Sequence, residues 1–107
     1  MKEVDVVRGE RIASLNDEYR RSRQGFMLTR GVSALPDIST LLDAIRDHSK
    51  FTEDNDPYGE HDFGSFDCFG EKLFWKIDYY DSALESWANP LSNECHRVLT
   101  VMLAEEY

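Results

Sequence analysis

The sequence is poor in the residues that several classes of protein depend on. Its two cysteines, Cys68 and Cys95, are too few and too far apart for a disulfide framework or a zinc site of the paired-cysteine kind. We expect both to be reduced core residues, because free cysteine behaves as a small buried hydrophobe. The longest mainly apolar run, residues 98–104, is far shorter than the ~20 residues that a bilayer requires, and residues 1–5 contain no apolar signal core. The composition therefore predicts a soluble cytoplasmic protein with no membrane partner.

Sequence signatures of catalysis are also missing. No glycine-rich loop of the kind that cradles phosphate is present. Three histidines and two cysteines, scattered along the chain, specify no Ser-His-Asp or Cys-His arrangement. The sequence accordingly predicts no catalytic residue and no cofactor, and it favours a protein that is not an enzyme.

Positive charge is absent from one long segment. The chain has 12 Lys and Arg against 21 Asp and Glu, a formal net charge of −9. Residues 1–50 hold nine Lys and Arg and eight Asp and Glu, a net +1, whereas residues 51–107 hold three and thirteen, a net −10. No Lys or Arg occurs between Lys50 and Lys72, where seven carboxylates fall. Such a chain repels the phosphates of nucleic acid and attracts a basic protein surface or a metal ion instead.

What is present indicates one globular domain over residues 1–107, of which 41% are hydrophobic. Apolar residues at helical spacing predict a first helix over residues 10–24 and a second helix that opens at Pro36 and ends near His48. Between them, residues 26–32 are rich in β-compatible side chains, which predicts a short strand.

Three arginines close the first predicted helix: Arg20, Arg21 and Arg23. Cations near a helix C-terminus complement the helix dipole. We therefore interpret them as solvated charges at the helix end and not as a phosphate-binding patch.

The second half of the chain changes to a period of two. Phe66 and Cys68 alternate with polar neighbours, residues 69–71 form a turn signal, and alternation resumes from Leu73 to Tyr79, which predicts a β-hairpin. Large apolar residues on both faces of its second strand indicate that this strand is central or covered on both sides. Residues at helical spacing then predict a last helix. They are Cys95, Val98, Leu99, Met102, Leu103 and Glu106.

The order of these predicted elements indicates an α+β fold. It contains no repeat and no linker. We expect a single domain in which a small antiparallel sheet, made of the β-hairpin plus one further strand, packs against about three helices.

Oxygen ligands concentrate in residues 54–64 (DNDPYGEHDFG), together with one imidazole. Such a cluster suits Mg²⁺, Mn²⁺ or Ca²⁺, and its histidine would also admit Zn²⁺ or Fe²⁺. One interpretation is therefore a metal-binding module or a metal-dependent hydrolase, with the candidate residues Asp56, Glu60, His61 and Asp62. On an extended segment Glu60 and Asp62 would converge while His61 pointed away. Structural turn chemistry and a partner-binding surface are the other two interpretations of this segment.

Several longer motifs resemble a small bacterial family that is catalogued only as a domain of unknown function. The motifs are LTRGV at residues 28–32, FT at 51–52, NDPYGEHDFG at 55–64, WKIDYYD at 75–81 and RVLTVMLAEEY at 97–107. The resemblance covers residues 10–107 and implies a stand-alone protein of proteobacteria, including their plasmids and prophages. It implies no activity, since the family has none to transfer.

The leading hypothesis is a non-enzymatic acidic protein that binds or inhibits a partner by docking on a Lys- and Arg-rich surface. The candidate partner-binding residues are Glu53, Asp54, Asp56, Glu60, Asp62 and Asp67, with Asp78 and Asp81 if the hairpin brings them near. Small acidic proteins of mobile elements that inhibit host defence offer an analogy, in which carboxylates take the place of phosphates on a CRISPR or restriction complex. A third interpretation, a structural or regulatory dimer, depends on the exposure of three aromatic residues: Trp75, Trp87 and Tyr107.

Overall fold

Helices lie mainly in the first half of the chain and strands mainly in the second half in the computed structural model, which describes residues 3–22 and 26–107. The elements are α1 (Glu3–Ser22), β1 (Met27–Leu28), α2 (Arg30–Ser33), α3 (Ile38–Arg46), β2 (Phe63–Cys68), β3 (Glu71–Tyr80), β4 (His96–Leu103) and a 3-10 turn (Ala104–Glu106).

The strands form one four-stranded sheet in the order β1-β4-β3-β2. β2, β3 and β4 pair antiparallel, whereas the short β1 runs parallel to β4 at the outer edge. The α+β class is therefore confirmed, with a mixed sheet that has one strand more than predicted. The number of helices also agrees, but the third helix is the short α2 and not a helix at the end of the chain.

The predicted β-hairpin is present as β2 and β3. Its two-residue turn consists of Phe69 and Gly70, whose φ angles of 55° and 75° both lie in the left-handed region. Two positive φ values in succession match the twist that a tight hairpin requires. β3 lies between β4 and β2, so the prediction of a central strand is confirmed.

The prediction of a last helix is wrong, because residues 96–103 form β4. Leu99 and Val101 point into the core, while Val98 and Thr100 lie half-buried on the other side. Apolar residues on both faces fit a helical stripe as well as a strand, so periodicity alone does not separate the two. Pairing with β3 over the whole of β4 stabilises the strand.

The first two predicted helices are present with different bounds. α1 begins earlier than predicted, and residues 23–24, with Arg23 among them, lie outside the described residues. α3 begins after Asp37, whose carboxylate accepts a hydrogen bond of 3.2 Å from the backbone N–H of Thr40 and so caps the helix. The strand predicted over residues 26–32 is reduced to β1, because α2 begins immediately after Thr29.

The core lies on the face of the sheet that α2 and α3 cover. It consists of the buried side chains Val32, Leu41, Ile45, Leu73, Trp75, Ile77, Leu99, Val101 and Leu103. On the other face, the ring of Tyr107 lies 6.0 Å from that of Phe63 and 5.4 Å from that of Phe74, measured between centroids. Both cysteines are free and half-buried, and Cys68 packs against the core.

The three aromatic residues of the dimer hypothesis differ in exposure. Trp75 is fully buried in the core, whereas Trp87 and Tyr107 are 68% and 75% exposed. Only the last two are therefore accessible to another molecule. In the described parts of the chain, no helix combines the length and apolar character that crossing a membrane would need.

Candidate partner-binding site

Asp56 lies at the centre of the acidic loop, residues 51–62 between α3 and β2, and its side chain points inward. The side chain is only 4% exposed, and its Oδ1 accepts hydrogen bonds from the backbone N–H groups of Glu60 (2.9 Å) and His61 (3.1 Å). The backbone N–H of Asp56 donates in turn to the carbonyl of Thr52 (2.7 Å). Asp56 thus closes the loop by turn chemistry and does not face a partner.

His61 is held on three sides. Its φ of 55° is a left-handed backbone conformation that residues other than glycine rarely adopt. Nδ1 lies 3.0 Å from Oδ1 of Asp17, and Nε2 lies 3.8 Å from Oδ2 of Asp56. The ring stacks on that of Phe51 with 3.9 Å between centroids and 3° between planes. Since the backbone is not extended here, the expected alternation of side chains at residues 60–62 does not apply.

Arg20 is a core residue, which corrects its interpretation as a solvated charge at the helix end. Its side chain is fully buried, with Nε donating to the carbonyl of Ile45 (2.9 Å) and Nη2 to that of His48 (2.7 Å). Nη1 forms an ion pair with Asp17 at 3.2 Å. Burial lowers the pKa of the Arg20 guanidinium below its usual value, and the carboxylate of Asp17 opposes this effect.

Asn16 connects α1 to the loop and to two strands. Its Nδ2 donates to the carbonyl of Glu60 and to the hydroxyl of Tyr79, both at 2.9 Å, while its Oδ1 accepts from Nε of Arg97 at 2.6 Å. Burial raises the pKa of the Tyr79 hydroxyl far above its usual value, so this group remains neutral.

The sequence pattern did not predict that three residues of α1 support the loop. Asn16, Asp17 and Arg20 contact groups 25 to 81 positions away, which no local pattern reveals. One signal was present: Asn16 and Arg20 follow Ile12 at intervals of four, so they lie on the apolar stripe of the helix. A polar residue on such a stripe is buried only if it finds partners.

The candidate carboxylates are not gathered in one patch. Glu53 and Asp54 are exposed on the loop, and Glu60 and Asp62 are half-buried where the loop joins β2. Asp67 is exposed near the other end of β2, opposite Lys72. At ~3.3 Å per residue, Asp67 lies about 16 Å along the chain from Asp62.

Glu60 and Asp62 carry negative charge that nothing nearby fully compensates. Burial raises the pKa of both carboxyls above its ordinary value, and neighbouring carboxylates raise it further. Asp62 acts on Glu60, while Asp56 and Asp78 act on Asp62; Arg8 lowers the pKa of Glu60 in part. Within the described ranges, Asp62 forms no ion pair.

The chain matches the model of a known family. The model of a family described as "Protein of unknown function (DUF3768)" matches residues 28–106. The chain belongs to the DUF3768 family. The resemblance to a family of unknown function is thus confirmed at that level. No curated protein and no solved structure matches the chain.

The metal interpretation of this DUF3768 protein involves Asp56, Glu60, His61 and Asp62. Asp56 and His61 lie close to each other, but Asp56 is already bonded to the loop backbone. Across residues 3–22 and 26–107, no group of three or more His, Cys, Asp or Glu side chains is arranged to hold a metal ion. The arrangement therefore provides structural bonds and unpaired surface carboxylates.

Proposed function

We propose that this protein is a non-enzymatic binding protein that docks on a Lys- and Arg-rich surface of another protein. The docking surface consists of Glu53, Asp54, Glu60 and Asp62. Asp56 is left out because it is buried, and Asp67 because it lies at the far end of β2 opposite a lysine.

The observation that supports the proposal is that Glu60 and Asp62 are half-buried beside other carboxylates. Both are partly desolvated beside other carboxylates, so their charge costs free energy in the free protein. A cationic partner would relieve that cost, because opposite charges nearby favour the ionised form. The absence of Lys and Arg from residues 51–71 leaves the attraction to such a partner unopposed within the segment.

The partner we propose is a complex that handles nucleic acid, with a CRISPR or restriction complex as the specific candidate. Such complexes hold phosphate backbones on cationic surfaces, and carboxylates of a net −9 protein would compete for the same cations. The support for this finer assignment is the charge alone.

The test is displacement of labelled duplex DNA from purified CRISPR and restriction complexes, followed by fluorescence anisotropy. We expect displacement at low salt that weakens steeply as salt rises, because screening shortens the range of charge attraction to about 10 Å at 0.1 M. The double variant Glu53→Lys/Asp54→Lys should lose displacement. Its matched control, Glu10→Lys/Glu105→Lys, makes the same change in net charge at exposed positions outside the docking surface and should retain it.

Two results would contradict the proposal. One is equal loss in both double variants, which would assign the effect to total charge. The other is no displacement from any of the complexes at low salt. Thermal melting of each variant checks that its fold is retained.

A further inference from the structure

A cleft of about 280 Å³ opens at the edge of β3, just beyond the first residue of β2. Its lining consists of Asp62, Ile77, Asp78, Tyr79, Tyr80 and Trp87. It thus combines two carboxylates with three aromatic residues.

Backbone hydrogen bonds fix the two walls of this cleft. On one side, the N–H of Ile77 donates to the carbonyl of Asp62 at 2.8 Å. On the other, the N–H of Ala88 donates to the carbonyl of Tyr79 at 3.3 Å, and Trp87 forms an isolated bridge to β3. Both walls are therefore attached to the same edge of one strand, and the cleft exists before any ligand binds.

The groups that line the cleft keep unused binding capacity. Asp62 has no ion pair in the described part of the chain, and Asp78 pairs only through Oδ2, which lies 3.1 Å from Nζ of Lys76. The Trp87 side chain is 68% exposed and contacts no other ring or cation among the described residues. The cleft thus places a large exposed aromatic ring beside one carboxylate without an ion pair to the described residues and a second whose Oδ1 forms none.

We propose that this cleft binds one lysine or arginine side chain of the partner protein. The inference rests on the proposed function and identifies the point at which the partner inserts. The aliphatic part of the side chain packs on the Trp87 ring, its charged end lies by Asp62 and Asp78, and the ring adds a cation–π attraction. Trp, Tyr and Arg side chains are enriched among the residues that contribute most of the binding energy at protein interfaces.

The test uses decaarginine and decalysine peptides at low salt, with ¹H–¹⁵N NMR of the two tryptophan indoles. Trp75 is fully buried in the core and serves as an internal control. We expect the Trp87 indole signal to shift saturably with either peptide and that of Trp75 to stay in place. The order of affinities identifies ammonium or guanidinium as the better occupant.

Variants separate the cleft from general charge attraction. Trp87→Ala should weaken binding by about two- to fivefold, the range of an exposed cation–π contact, and Trp87→Phe should restore part of it. Asp62→Asn should weaken binding more than Asp67→Asn, which removes the same charge at the far end of β2.

The outcomes distinguish this inference from the proposed function. If the peptides bind while the Trp87 signal and the Trp87→Ala affinity remain unchanged, the cleft is not the site, and docking through the loop stands. If neither peptide binds at low salt, both proposals fail.

Discussion

The guanidinium of Arg20 lies over the rings of Phe51 and Trp75, at 5.4 Å and 5.1 Å from their centroids. A buried charge is tolerated only when its hydrogen-bonding capacity is used. All three of its nitrogens donate, to Ile45, His48 and Asp17. Arg20 therefore joins α1 to the end of α3 and supports the aromatic ring on which His61 stacks.

Replacement of Arg20 by alanine should strongly destabilise the fold. Arg20→Ala leaves the carbonyls of Ile45 and His48 without their donor and removes the cation of the ion pair with Asp17. Removing one partner of a buried ion pair costs about 3–5 kcal/mol. Chemical denaturation measures this loss in the free energy of unfolding. The neighbouring Arg21 is exposed, so Arg21→Ala should change stability by less than ~0.5 kcal/mol. Equal effects of the two substitutions would contradict the buried role of Arg20.

The raised pKa of Asp62 predicts that ionisation of this carboxyl destabilises the folded protein as the pH rises. A carboxylate in an ion pair has the opposite effect. Its pKa is raised in the folded protein by burial and by neighbouring carboxylates from an ordinary value of 3.8. The folded state therefore holds the proton more tightly than the unfolded state, and ionisation destabilises the fold above the folded pKa. Below about pH 3.8 the group is neutral in both states, and this penalty vanishes.

Asp62→Asn should accordingly raise the melting temperature at pH 7, and its advantage over the natural protein should disappear as the pH falls below 4. Thermal melting at several pH values measures the difference. Asp67→Asn is the control, because Asp67 is exposed opposite Lys72 and its removal relieves no repulsion. A stabilising effect of Asp62→Asn that persisted at pH 3 would contradict the electrostatic explanation.

At the scale of elements, patterns with one clear interpretation are predictable from the sequence, and ambiguous ones are not. α3 carries a single apolar face and a capping aspartate, and the hairpin has a two-residue turn between alternating strands. β4 has apolar residues on both faces, since Met102 is also buried on the side that Tyr107 and its neighbours cover. Only the long-range pairing with β3 separates strand from helix there, and that pairing is not visible in the segment itself.

The contact between β2 and β3 depends on a glycine. A Cβ at Gly64 would overlap the indole nitrogen of Trp75, its partner in the register, and would lie 2.7 Å from Cζ2. Gly64→Ala should therefore destabilise the protein by about 1–3 kcal/mol, the usual cost of overpacking. The overlapping atoms are the indole nitrogen and two carbons of the six-membered ring of the indole. Phenylalanine has no atoms at these positions.

A double-mutant cycle with Trp75→Phe tests this origin of the destabilisation. In the Trp75→Phe background, Gly64→Ala should cost clearly less than in the natural protein. Ser65→Ala, at the next position of β2, is the matched control and should show no such coupling. Strict additivity of the Gly64 and Trp75 substitutions would contradict the steric explanation.

At the scale of the whole molecule, the sequence shows where negative charge is concentrated along the chain, but it does not show which of those carboxylates are exposed. Turn chemistry, one of the interpretations of the acidic segment, fits the loop that it forms, and Glu53 and Asp54 are exposed there. It could not distinguish them from Asp56, because burial of that side chain depends on α1 and on a left-handed residue at His61. The cleft beside Trp87 could not be predicted from the sequence either, because backbone contacts fold the segment that carries Trp87 back onto β3.

The side chains that support the acidic loop lie outside the segment that the family model matches. The family match begins at residue 28, whereas Asn16, Asp17 and Arg20 all belong to α1. A fragment cut at the family boundaries would retain every carboxylate of the loop and lose the side chains that hold it in place. Such a fragment would keep the loop sequence without the contacts from α1 that fix its shape.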